Sequence, residues 1–529
     1  MSKSTANRLV LLCYLVLAIL LYFPLAHYLD CNDTLQYLVI AKRYAAGNTL
    51  LAINSYWGPL ISWLLVPFIQ LGFEPFCVLK LLQLTIGFAV LVFTLALIDK
   101  RPTSGLMRFV VKAAAVPLVL SFALLNGTPD LLMLCWLLLL LLLFSNRIQY
   151  LNNKSSVLLC ALTGALMYFT KSIGLVFFCG LWTMYHLGLW LFYHHQSRRH
   201  LLKKYAAGLL LFALFTSPWV IALHKKFGTW SMGSSASYNF RIIGPAVTPD
   251  VQGELNHPFF MGKLVDLPQP RALNAWEEPA SFPLPYWNPL HSSAERSHYL
   301  HVIFKNIHSL QSFNFGVDPG TVLLFGWLGL LLVQRRKAFS FFTEQWTYFL
   351  FPVVVSAVYL FVVVMHRYIW INDVMILVVA ADLAYRLSQS NRIAGYAFAF
   401  GFAALVTFQS AKDIRPLLGN GNSNWEAAVD FSKSQPKGNC ISLNSDMPYS
   451  YDYSSLICYQ SVHTHYLGLL QTSPEANLLP VLDEKNVSYV FAWGNSVDVV
   501  ALTKGKAILY KEYPLAHLKI FTYTHALAL

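Results

Sequence analysis

Long apolar runs broken by short polar clusters occupy most of the chain. A membrane-spanning helix needs roughly 20 mostly apolar residues. On that criterion, crossings are predicted near 9–29, 76–98, 106–125, 130–146, 155–170, 174–193, 205–224, 320–334, 345–365, 368–386 and 393–410. Between the first two, 33–46 reads as an amphipathic helix, with Leu35, Leu38, Val39 and Tyr44 set against Gln36, Lys42 and Arg43. The apolar stretch Leu60 to Leu71 is too short to cross, so an interfacial or re-entrant segment is predicted there. From about Lys412 the pattern changes. Short β-rich runs at 440–443, 455–459, 488–493, 507–511 and 518–523 alternate with predicted helices near 424–434, 473–484 and 496–504. Ser473 and Pro474 give the second of these helices a cap and a first residue.

Composition agrees with the pattern. The 529 residues are 56% hydrophobic and only 12% charged, with a mean hydropathy of +0.50, which excludes an ordinary soluble protein. The first apolar run is long, ends in Tyr22, Phe23 and Tyr28, and lacks a small-residue cleavage site, so it is expected to remain as a helix. Basic residues fall in alternate loops: Lys3 and Arg8, Lys100 and Arg101, Arg147 and Lys154, Arg198 to Lys204, Arg335 to Lys337, and Arg386 with Arg392. Those loops are predicted to be cytoplasmic, as is the N-terminus. The net charge of +13 reflects this dispersed bias, so nucleic acid is not an expected partner.

The expected architecture is a membrane α-helical domain over 1–410 and an external α/β domain over 411–529. The first includes an external loop at 30–75 and a cap loop at 226–318. The cap is rich in proline, yet Trp230, Trp276 and Trp287 argue for a folded segment. Cys440 and Cys458 both lie in the external domain, where a disulfide would be permitted; the spacing leaves bridged and free forms equally open. No internal repeat is visible.

Four ionisable residues at the external ends of predicted spans are the candidates for chemistry. Asp33 opens the amphipathic helix; it can cap that helix, or accept the proton of an attacking hydroxyl. Asp130 starts a helix after Asn126-Gly127-Thr128-Pro129, where an acid also complements the macrodipole. Lys171 breaks the positive-inside pattern in a tight external turn, so it either snorkels to headgroups or pairs with a lipid-linked phosphate. Arg367, in His366-Arg367-Tyr368, has the planar fork suited to phosphate, although Arg and Tyr also anchor helix ends. Trp276 and Glu277, with Tyr238, Asn239 and Glu278, could meet a sugar, but such residues are common in folded loops. His291, His298, His301 and His308 lack close ligand partners, and no metal site is assigned. Asn32-Asp33-Thr34 and Asn486-Val487-Ser488 fit glycosylation sequons.

The stretch from Asp33 through Tyr37, Ala41 and Arg43, with Trp57-Gly58-Pro59-Leu60 and Trp63-Leu64 after it, resembles the first external loop of GT-C glycosyltransferases. These are the polyprenyl-phosphate-sugar-dependent enzymes that include protein O-mannosyltransferases and the lipid A aminoarabinose transferase. Thr34 departs from that pattern where many relatives carry a second acid. Asp130, the Gly164 to Lys171 element and Arg367-Tyr368 are similar to further family elements. The resemblance implies an inverting transfer of sugar from a polyprenyl-phosphate donor to a lipid, glycan or protein acceptor. It implies Asp33 and Asp130 as catalytic acids, and Lys171, Arg367 and Tyr368 as donor-phosphate ligands. Tyr37, Trp57, Trp276 and Glu277 become candidate acceptor or sugar contacts. No cofactor is fixed by this reading, a divalent metal is compatible with it, and a bacterial inner membrane is the expected location. A lipid-linked oligosaccharide ligase or polymerase is the alternative, followed by a transporter or flippase.

Overall fold

Apolar stretches without enough polar residues to face water on any side must bury themselves in lipid or against one another, and the helices do both. In a computed structural model, residues 2–101, 105–192, 197–247, 264–315, 335–420, 423–443, 447, 450–470, 477–494 and 498–523 are described. Ten predicted spans appear as the helices Lys3–Leu25, Pro75–Asp99, Gly105–Leu125, Asp130–Ser145, Ser155–Thr170, Gly174–Phe192, Arg198–Phe227, Arg335–Leu360, Trp370–Ser390 and Arg392–Ile414. The span predicted at 320–334 lies outside the described residues. Among the described residues, seven helical segments are long and apolar enough to cross a membrane, and the protein is a multi-pass membrane protein.

Packing sorts these helices into inner and outer ones. Gly105–Leu125 is sheathed by Lys3–Leu25, Pro75–Asp99, Trp370–Ser390 and Arg392–Ile414, whereas Lys3–Leu25, Arg198–Phe227 and Arg392–Ile414 leave rows of Leu, Phe and Ile exposed. Such rows suit lipid contact. At the end of the array remote from the first loop, the buried Lys112 ammonium meets Asp99 at 2.6 Å and Asn7 donates to the same carboxylate at 2.9 Å, locking three helices together.

The first loop departs from its amphipathic prediction. Asn32–Ala45 is helical, but it is enclosed on nearly every side, with Gln36 fully buried beside Leu35 and Leu38. The reason is tertiary: the short helix Leu60–Gln70, the turn Ala275–Glu277 of the cap loop, and the helix Ser450–Gln460 of the C-terminal domain all pack against it. Leu60–Gln70 itself has eleven residues, in keeping with a segment that does not cross.

The C-terminal domain forms a five-stranded sheet in the order β2-β1-β3-β5-β4, with β1 Lys437–Leu443, β2 His463–Leu470, β3 Val487–Trp493, β4 Ala507–Tyr513 and β5 Leu518–Tyr523. β2, β1 and β3 are parallel, and β5 pairs antiparallel with β3 and β4. The strand predicted at 455–459 is instead part of the helix Ser450–Gln460. Its Leu456, Ile457 and Cys458 form a continuous apolar run, which periodicity alone cannot assign to a strand or a buried helix. Strand β2, which was not predicted, lies at the sheet edge and is covered by the cap loop: Val265 N–H donates to the Leu467 carbonyl at 3.0 Å and Tyr466 N–H to the Leu273 carbonyl at 2.8 Å. Ser473 and Pro474 lie outside the described residues; downstream, Leu479–Glu484 is helical. Cys440 and Cys458 stand side by side as buried free thiols.

Candidate active site

Antiparallel packing brings Asp130 and Lys171 together. Asp130 lies in the first turn of Asp130–Ser145, Lys171 caps the C-terminal end of Ser155–Thr170, and the two helices are neighbours. Each charge thus complements its own helix dipole and also faces the other. Lys171 Nζ donates to Asp130 Oδ1 at 2.5 Å, and Thr128 Oγ1 donates to Oδ2 at 2.7 Å. The Asp130 side chain is only 3% exposed.

Arg367 enters from the short turn His366–Tyr368, between two later helices, and joins this pair to the first loop. Its Nη2 donates to Asp33 Oδ2 at 2.9 Å, while Nε lies 3.6 Å from Asp130 Oδ2. The other Asp33 oxygen accepts from Trp276 Nε1 at 2.8 Å. The Tyr368 ring lies 4.7 Å from Lys171 Nζ and stacks on Tyr359 with centroids 4.7 Å apart. All four charged residues singled out in the sequence therefore form one continuous cluster, carboxylates alternating with cations. Asp33, Lys171 and Arg367 each keep about a fifth of their side chain accessible, so the cluster can be reached from outside.

Local sequence explains how these loops dock. Gly127 abuts Thr34, and any side chain there would collide with it. Thr34 in turn donates to Asp30 Oδ1 at 2.6 Å, and Asp30 Oδ2 accepts from the Gly127 N–H at 3.1 Å. Thr34 is thus a hinge pin between two loops. Gly58 lies against the Thr170 carbonyl, one residue before Lys171, so closely that a β-carbon would not fit. Trp57 donates from Nε1 to the Trp276 and Glu277 carbonyls at 3.2 and 3.1 Å, and Tyr37 packs edge-on against Trp57 at 5.3 Å. Burial, with Asp130 and Asp33 nearby, holds the Tyr37 phenol well above its usual range.

Glu277 takes a different position from the rest. It is fully buried, and its carboxylate is engaged by Arg43, by Gln269 Nε2 at 2.7 Å and by the Leu273 N–H at 2.9 Å. It organises the cap turn that presents Trp276. His366 bonds Asp373 at 2.9 Å. Sequence reasoning missed Cys31, whose Sγ lies 3.6 Å from Arg367 Nη1. It also missed Asp452, a buried carboxyl of the C-terminal domain that faces the Asn32 backbone N–H. Burial, then the charges of Asp33 and Asp30, raise the Asp452 carboxyl well above the ordinary value. No local sequence signal marks either residue.

As a donor set, the cluster balances two carboxylates with two cations, and each carboxylate oxygen already has a partner. Lys171 and Arg367 carry the N–H groups that an anion bearing several oxygens could engage in place of these carboxylates.

No family model matches the sequence, and no curated protein matches it significantly. Solved structures do. ArnT from Cupriavidus metallidurans bound to undecaprenyl phosphate superposes with a TM-score of 0.52 at 11% identity, covering 98% of both chains. The apo state of the same protein gives 0.52 over 96% of this chain and 97% of that one, again at 11% identity. The Archaeoglobus fulgidus oligosaccharyltransferase in complex with Zn and sulfate gives 0.51 at 11% identity, over 91% of this chain and 67% of its own. The chain therefore has the fold of the GT-C glycosyltransferases.

Proposed function

We propose that the protein is a membrane glycosyltransferase that moves a sugar from a polyprenyl-phosphate donor to a hydroxyl-bearing acceptor on the extracytoplasmic face. The observation that carries this reading is the convergence of Asp33, Asp130, Lys171 and Arg367 at one end of the helix array. The likeness to ArnT from Cupriavidus metallidurans bound to undecaprenyl phosphate supports the donor class. Alternate basic loops support a cytoplasmic N-terminus.

On this reading the donor phosphate displaces carboxylate oxygens from Lys171 and Arg367, with Tyr368 walling the site. Asp130 acts as a positioning residue that holds Lys171 beside Arg367. Asp33, released from Arg367 but still held by Trp276, accepts the acceptor's hydroxyl proton. The hydroxyl oxygen attacks the anomeric carbon, the bond from that carbon to the phosphate oxygen breaks, and its electron pair leaves with the phosphate. Attack opposite the leaving group inverts the anomeric centre. Two cations in a poorly hydrated site stabilise the charge that develops on the phosphate. Tyr37 and Trp57 support Asp33 from behind.

The test is transfer of labelled sugar from a polyprenyl-phosphate hexose or pentose by purified protein in lipid nanodiscs. Asp33→Asn should lower the rate by at least about 100-fold, the scale of a lost general base, while thermal unfolding changes little. Full activity in that variant would remove the role of Asp33. Vesicle transport of the donor without transfer would favour a flippase.

A further inference from the structure

Outside this cluster, one group of side chains is arranged as a ligand set. His27 follows the helix Lys3–Leu25, and Glu74 and Cys77 open the helix Pro75–Asp99. His27 Nε2 lies 3.4 Å from Cys77 Sγ and 3.9 Å from Glu74 Oε2, and one ligand atom from each residue falls within 4.8 Å of the others. Among the described residues no other group of three His, Cys, Asp or Glu side chains meets that condition. We propose that His27, Glu74 and Cys77 bind a zinc ion that ties two membrane helices together where the C-terminal domain rests on them.

The spacing fits. With metal bonds of about 2.0–2.3 Å, tetrahedral ligand atoms stand roughly 3.3–3.7 Å apart. The His27 and Cys77 atoms are at that separation already, and Glu74 Oε2, 3.9 Å from His27 Nε2, is within a few tenths of an ångström of it on the His27 side. The orientation is also fixed from outside, as supporting groups fix ligands in metal centres generally. The His27 ring stacks on Trp425 with centroids 4.2 Å apart and 15° between planes. The Glu74 oxygens accept from the Phe76 and Cys77 N–H groups at 3.0 and 2.7 Å, which leaves each a lone pair for a metal.

The donor chemistry selects the ion. One imidazole, one thiolate and one carboxylate are the mixed N, S and O ligands that zinc accepts, whereas calcium and magnesium require oxygen throughout. The two anionic ligands neutralise the ion's charge. The His27 and Glu74 side chains are 29% and 36% exposed, so water can fill the fourth position.

The location gives the ion its effect. Trp425 belongs to the C-terminal domain's helix Ser423–Ser432, and Phe76 packs edge-on against both Trp425 and Tyr459 at 5.0 and 5.6 Å. A metal holding His27 to Cys77 would fix the surface on which that domain rests, close in sequence to Asp33. The competing account is a helix cap and a thiol–imidazole hydrogen bond without a metal.

Metal analysis of untagged protein after zinc loading and dialysis decides between them, and it does not depend on glycosyl transfer. We expect about one zinc per chain, and with cobalt a near-ultraviolet thiolate charge-transfer band. Cys77→Ser and His27→Gln should each lose the ion and the band, while Cys13→Ser keeps both. Chelation should lower the unfolding midpoint of the wild type and leave that of Cys77→Ser unchanged. Absence of bound zinc in the wild type, or zinc retained by both ligand variants, would overturn the site.

Discussion

Asp130 is the most deeply buried charge of the cluster, paired with Lys171 at 2.5 Å and lying 3.6 Å from Arg367. Taking away one partner of a buried ion pair costs about 3–5 kcal/mol, because the other charge is stranded. Asp130→Ala should therefore lower the unfolding midpoint in detergent far more than Asp33→Ala, since Asp33 is more exposed. Adding Lys171→Ala should recover part of the loss; an additive double variant would mean the pair is not coupled. Asp452 gives the opposite expectation. Its carboxyl is raised above the ordinary value near 3.8 by burial and by Asp33 and Asp30, so the folded chain holds a proton that the unfolded chain releases. Stability from this group is present below the unfolded-state value and is lost as pH rises from about 4 towards the raised folded value. Asp452→Asn cannot ionise. Its midpoint should equal or exceed that of the wild type, with a gap that widens with pH. A lower midpoint throughout would show that the carboxyl's contact with the Asn32 N–H outweighs the cost of its burial. The charged residues of the cluster were legible because charges at the ends of apolar spans stand out, whereas Asp452 sits in an ordinary polar stretch and acquires its meaning only by burial.

At the scale of elements, docking of loops onto helix ends decides the site. Trp57-Gly58-Pro59 was read as a motif, and its physical content is the contact of Gly58 with the Thr170 carbonyl. Gly58→Ala should force that contact apart and shift Lys171. We expect donor binding to weaken by at least about tenfold, the equivalent of 1.4 kcal/mol. Binding of labelled polyprenyl phosphate measures this, and an unchanged affinity would show that the backbone relaxes without moving the lysine. The elements that sequence misassigned share one cause. The strand expected at 455–459 became a helix, and the helix Asn32–Ala45 lost its solvent face, because both lie where the C-terminal domain, cap loop and first loop bury one another. A local pattern reports how a segment would meet water or lipid, not a protein partner that arrives from far along the chain.

Across the whole molecule, position within the helix array sets the cost of a substitution. Leu120 is buried in the sheathed helix Gly105–Leu125, whereas Leu210 is 73% exposed on an outer helix. Leu120→Ala should cost about 2–5 kcal/mol in unfolding experiments, and Leu210→Ala should stay within about 0.5 kcal/mol. Equal effects would contradict the assignment of inner and outer helices.

The sequence by itself determined that the chain crosses a membrane repeatedly, where most spans begin and end, and which charges collect at one boundary. Those features follow from transfer free energies that each segment carries alone. Tertiary structure decided that Asp33 reaches Arg367 and Trp276, that Glu277 serves Arg43, and that His27 meets Glu74 and Cys77. Such pairings depend on the packing of segments from about fifty to more than three hundred residues apart, and no local property of either partner encodes them.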